Sequence, residues 1–167
     1  MSARELVFWA DAIVAVMSAF VVVLHRNAVV CALALVMHLC AIAVFFLLLD
    51  AAFLFAVQVI LYAGAIMVLF LFVVMLLDPE GRGMGIRVGR VQLGLTIVGA
   101  SLLLMGMARA LPSAMDPSPA LPEGFGGAHS VGRLLFTDYL FPFELASILL
   151  LVAMIGAIHM GRKEVER

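Results

Sequence analysis

The sequence predicts an all-α integral membrane protein of five transmembrane helices, with the N-terminus outside and the C-terminus inside. Three observations carry this. Apolar residues make up 66% of the chain and mean hydropathy is +1.23, whereas a water-soluble domain is roughly half apolar. The apolar residues gather into five runs, each near the roughly 20 residues an α-helix needs to cross a bilayer. Charged residues, 13% of the total, fall between the runs, so positions 1–167 read as a single membrane domain with no soluble domain left over. A net charge of −1 gives no reason to expect nucleic acid, and the expected surroundings are the lipid bilayer.

In chain order the runs cover 6–24, 28–49, 53–77, 91–111 and 140–160. The first is a retained helix and not a leader, because it lacks a strong basic region, admits Asp11 early and precedes no small-residue cleavage site. Very short links, His25-Arg26-Asn27 and Asp50-Ala51-Ala52, then force the first three helices into a tight up-down-up unit. Cys31 and Cys40 share the second run. They stand roughly 13 Å apart along one helix axis, too far for a disulfide, and read as small buried hydrophobes. The link at 78–90 opens Asp78-Pro79-Glu80-Gly81 and repeats glycine, which predicts a flexible polar loop. A second flexible loop at 112–139 carries Pro112, Pro117, Pro119 and Pro122, and its part at 131–140 suits a short amphipathic piece at the interface.

Positive charge sets the orientation. Arg26, Arg82, Arg87, Arg90, Arg162, Lys163 and Arg167 share one side, against Arg4, Arg109 and Arg133 on the other. That excess puts the C-terminus in the cytoplasm.

Ionisable groups inside a bilayer are costly and each is a functional candidate. Arg4, Glu5, Asp11, Asp50, Asp78, Arg109 and His159 lie near run ends and read as interfacial anchors. His38 is near the middle of the second run. It is either a bonded packing histidine, the simpler reading, or a proton relay with a near-neutral pKa. Glu144 follows Pro142 at the entry to the fifth run. It is expected in the first helical turn, stabilised by the helix dipole, or else it is an inter-subunit or proton-path carboxylate.

The third run is the longest, and its length implies tilt or an irregular turn. Gln58 and Tyr62 stand at i and i+4, presenting an amide and a phenol on one face. Ala63-Gly64-Ala65 follows, a patch small enough for close backbone approach. Glycine there also weakens the regular ladder and favours a π-bulge. Physics alone leaves packing and gating both open, with packing the simpler.

Gln58-Val59 and the stretch Tyr62-Ala63-Gly64-Ala65-Ile66-Met67-Val68-Leu69-Phe70 onward resemble the third-helix signature of the subunit J family of proton-pumping NADH–quinone oxidoreductase, respiratory complex I. Leu135-Phe136-Thr137-Asp138-Tyr139-Leu140-Phe141-Pro142-Phe143-Glu144 is similar to that family's fifth-helix entry. The resemblance implies a non-catalytic subunit with no active site of its own. It binds no flavin, iron–sulfur cluster, metal or nicotinamide; the parent complex holds FMN, iron–sulfur clusters, NADH and quinone elsewhere. It further implies a place between the quinone-binding H-type membrane subunit and the antiporter-like N-type subunits. There it packs against the small A-type and K-type subunits in the bacterial inner membrane. A π-bulge near Tyr62, Ala63 and Gly64 is implied, with Ala65 and Met67 just beyond it, and its conversion to regular helix gates a water path. Gln58, Glu144 and His38 are the candidate polar contacts, although an amide at Gln58, where some members carry glutamate, cannot titrate.

Two other readings stand beside this one. The parent complex could use reduced ferredoxin or a deazaflavin as donor, which a membrane chain does not reveal. A stand-alone small ion transporter is the second, weakened by the absence of an inverted repeat or a central acidic pair.

Overall fold

The computed structural model describes residues 2–77, 90–110 and 124–162. Among these, every regular element is a helix. α1 spans Ala3–Leu24, α2 Ala28–Leu48, α3 Ala52–Leu76, α4 Arg90–Ala110, α5 Ala128–Phe136 and α6 Leu140–Gly161. The helices α1, α2, α3 and α6 are long and apolar enough to cross a membrane, while the apolar stretch of α4, Gly94–Arg109, is shorter. The expected loop at 78–89 and the proline-rich 111–123 lie outside the described residues.

Local chemistry sets the helix ends. Ser2 caps α1, its Oγ accepting from Glu5 N–H at 3.3 Å while Glu5 Oε2 accepts from Ser2 N–H at 3.1 Å, a reciprocal pair worth about 1 kcal/mol. Asn27 caps α2 through Oδ1, which accepts from Val29 and Val30 N–H at 2.9 and 3.4 Å. Just beyond the Leu49 cap of α2, Asp50 turns the chain with a left-handed φ of 59°, a conformation aspartate tolerates better than most residues.

α2 lies between α1 and α3, packing on both. The buried positions of α1 and α2 are small: Ala15 and Ser18 on α1, Ala32, Ala41 and Ala43 on α2. Lipid tails are as apolar as leucine, so membrane helices associate through close backbone approach, which small residues allow. Phe8 and Phe45 close the α1–α2 contact near the α1 N-terminus, ring centroids 5.6 Å apart.

The α2–α3 link gathers two further segments that sequence reasoning keeps apart. Arg4, expected as an anchor, reaches from α1 to the Leu48 carbonyl and to Asp50 Oδ2 at 2.8 Å. Gly126 (φ 73°) sits against Asp50 and Ala51, and its carbonyl accepts from Phe53 N–H at 3.0 Å. A Cβ there would overlap the Asp50 carbonyl oxygen and come within 2.7 Å of Ala51 Cα. The second half of the 112–139 segment is therefore not a flexible loop, being docked and partly helical. Its short helix runs Ala128–Phe136 instead of 131–140, because the glycine turn delivers the chain to the link before Ala128. Ser130 Oγ–H bonds back to Gly124 and Gly127 carbonyls at 2.9 Å each. Phe136 then stacks edge-on with Phe143, 4.9 Å away, tying α5 to α6.

Candidate functional site

α3 is not a uniform helix. Ala52–Val57 and Met67–Leu76 are α-helical, and the nine residues Gln58–Ile66 between them are π-helical. The π turn closes where Met67 N–H bonds to Tyr62 O, five residues back. Burial carries the same irregularity. Met67, Leu71 and Val74 turn inward at steps of four and three, but from Gln58 the next inward positions are Ala63 and Gly64, five and six residues on. The wider turn absorbs an extra residue, and so keeps both halves of α3 facing α2.

Glycine at position 64 suits this backbone. A Cβ built there would meet the Val59 carbonyl oxygen, five residues earlier, at 3.2 Å, tighter than ordinary van der Waals contact. The contact is a property of the π turn, whose carbonyls point at residue i+5 and not i+4.

The structure separates residues that spacing groups. Gln58 is 9% exposed and Met67 5%, both packed on the α2 side, whereas Tyr62 is 49% exposed on the outer face. Ala63 and Gly64 are half-buried and Ala65 is exposed. Gln58 and Tyr62 thus do not form one buried polar pair. No group of three His, Cys, Asp or Glu side chains that could hold a metal occurs among the described residues. The arrangement is a change of helical register within α3.

His38 joins α1, its Nδ1 lying 3.0 Å from the Ala15 carbonyl and 3.4 Å from Ser18 Oγ. Ser18 Oγ–H donates to the same carbonyl at 2.9 Å. A carbonyl only accepts, so this geometry assigns the ring proton to Nδ1, the arrangement of a bonded packing histidine. Glu144 is the fifth residue of α6, so the expectation of a first-turn carboxylate is corrected: the helix starts at Leu140, two residues before Pro142, and its dipole falls off over one turn. Its side chain is exposed.

Asp11 is expected as an anchor, yet its Oδ2 is buried and without a hydrogen-bond partner among the described residues. The spacing Asp11, Ala15, Ser18 is the available signal, since i, i+4 and i+7 share a helix face.

A family model described as NADH-ubiquinone/plastoquinone oxidoreductase chain 6 matches residues 18–160, a stretch containing α2, α3 and nearly all of α6. The chain belongs to this family. NADH-quinone oxidoreductase subunit J of Pseudomonas aeruginosa is 38% identical, over 98% of this chain and 99% of that protein. F(420)H(2) dehydrogenase subunit J of Methanosarcina mazei is 36% identical, over 96% and 92%. NAD(P)H-quinone oxidoreductase subunit 6 of the Paulinella chromatophora organellar chromatophore is 40% identical, over 94% and 77%. As a member of the family, the chain is a multi-pass membrane subunit of an oxidoreductase complex.

Proposed function

We propose that this chain is an energy-coupling subunit in the membrane arm of a proton-translocating NADH–quinone oxidoreductase. It has no active site of its own, and nicotinamide, flavin, iron–sulfur clusters and quinone are bound by other subunits. In this reading it spans the inner cell membrane five times, N-terminus outside and C-terminus in the cytoplasm, α4 being the fourth span. Its neighbours are the A-type, H-type and K-type subunits and the antiporter-like N-type subunits.

The observation that carries the proposal is the π turn at Gln58–Ile66, which ends on the buried Met67. Conversion of this turn to regular α-helix removes the extra residue from the register and rotates everything beyond it by about 100°. Met67 then leaves the α2 interface, and exposed side chains such as Leu69 and Phe70 (66% and 47% exposed) exchange position with inward ones. Bulky apolar groups turned into a water path dry it; small or polar ones wet it. The chain thereby gates proton movement without performing chemistry.

Gly64→Leu and Tyr62→Phe test this in the assembled enzyme. Expected is a loss of protons moved per quinone reduced while subunit abundance holds. Unchanged coupling in both variants removes the basis of the proposal, and a fall in abundance alone favours a purely structural role. The Methanosarcina relative, similar over almost the whole chain, supports a second reading in which the complex takes electrons from a donor other than NADH. Identification of the peripheral subunits that copurify decides the donor.

A further inference from the structure

We infer that a groove over the first turns of α2 binds an anionic phospholipid of the cytoplasmic leaflet, headgroup phosphate at the rim and acyl chain along the floor. Which leaflet it faces rests on the orientation proposed above; the groove itself does not. Because α2 lies between α1 and α3, the two outer helices stand as walls on either side of it. The resulting cavity, of about 340 Å³, is walled by Val22 of α1 and by Phe70 and Val74 of α3. Leu35 and Ala32, the latter 1% exposed, line its floor. His25 and Arg26 form the rim.

Both rim side chains have donors to spare. Asn27 N–H donates to His25 Nδ1 at 3.1 Å, so the neutral ring carries its proton on Nε2 and offers it as a donor. Arg26 makes no ion pair or hydrogen bond among the described residues, leaving its planar fork open to phosphate oxygens. Asn27 Oδ1 is engaged in capping α2, which leaves its amide N–H groups as further donors beside the rim. Beneath the rim the walls are hydrocarbon. A free phosphate would use the rim donors but not the slot, and a lipid of no net charge would fill the slot without countering the Arg26 charge. An anionic phospholipid satisfies both, and basic pockets between membrane helices on the cytoplasmic side hold such headgroups. The volume lies at the low end of about 300–1,000 Å³ for sites that hold small molecules, which suits a phosphate and the upper methylenes of one chain.

The test uses the assembled complex in nanodiscs. These are doped with phosphatidylglycerol bearing a photoreactive diazirine on its acyl chain or, in parallel, with the phosphatidylcholine analogue. Expected is labelling of the Leu35, Phe70 and Val74 peptides by phosphatidylglycerol well above that by phosphatidylcholine. Label at the exposed Leu149 of α6 serves as the reference. Arg26→Gln is expected to lower the groove label roughly fivefold, and Arg26→Lys, which keeps the charge, to retain most of it. Equal labelling by the two lipids overturns the inference, because the groove then holds only bulk lipid. Absence of groove label overturns it in favour of another subunit covering the site, and an undiminished label in Arg26→Gln overturns the assigned phosphate contact. Should Arg26→Gln fail to assemble, the comparison of the two lipids on the unaltered chain decides the matter. Selective labelling with normal proton coupling in both Gly64→Leu and Tyr62→Phe sustains the lipid site and removes the gating proposal.

Discussion

Gly64→Ala is the smallest change that discriminates between the two helical states of α3. In a regular helix interior alanine is favoured over glycine by about 0.5–1 kcal/mol. In the π turn the same methyl meets the Val59 carbonyl oxygen at 3.2 Å, where 3.4–4 Å is ordinary contact. Relieving it by bending the backbone through about 7° costs about 1 kcal/mol. The propensity gain is set against the unfolded chain and is shared by both helical states, so the contact decides, by about 1 kcal/mol in favour of the α form. The ratio of π to α should therefore fall by roughly fivefold. Cryo-electron microscopy of the assembled complex, with particles classified on the density of residues 58–67, reads that ratio directly. Gly156→Ala in α6 is the control, since nothing lies within 4 Å of its added Cβ, and it should leave the ratio unchanged. A π population equal to or larger than that of the unaltered protein refutes the reasoning, because the Val59 contact would then not govern the turn.

Gly126→Ala should undock the 124–127 turn from the α2–α3 link, since it combines a left-handed φ of 73°, costing about 1–2 kcal/mol, with overlap against Asp50 and Ala51 backbone. Faster proteolysis between α4 and α5 and a lowered Tm are the readouts, with Gly132→Ala, which meets nothing within 4 Å, as the silent comparison. Ser18→Ala should cost little, about 0.6 kcal/mol for one lost hydrogen bond between membrane helices, because His38 keeps its contact with the Ala15 carbonyl. Ser18→Val overpacks a position only 8% exposed and should cost about 1–3 kcal/mol; thermal denaturation in detergent separates the two.

Much of this is legible in the residues. Span positions hardly move, the third run being expected at 53–77 and α3 covering Ala52–Leu76. The length of an apolar run is a local quantity matched to the bilayer, and caps such as Asn27 act within three residues. Gly64 can be singled out because Ala63-Gly64-Ala65 is a patch of small residues within a long run of bulky apolar ones. The burial of Gln58 apart from Tyr62 is not legible. Their i, i+4 spacing predicts a shared face, but a face has no inside until a neighbour is chosen. Asp11 escapes for the same reason, since closeness to a run end says nothing of which way a carboxylate points.

The sequence by itself determined that the chain carries helices long and apolar enough to cross a membrane, roughly where these long helices start and stop, and which family it resembles. Each depends on composition or motif within a short window. Only the tertiary structure decided that α2 is the central helix and that Arg4, Asp50 and Gly126 meet at one corner. It also decided that Gln58 and Met67, but not Tyr62, are buried. These depend on pairings across many residues, where small side chains permit several helix approaches and only the packed arrangement selects one.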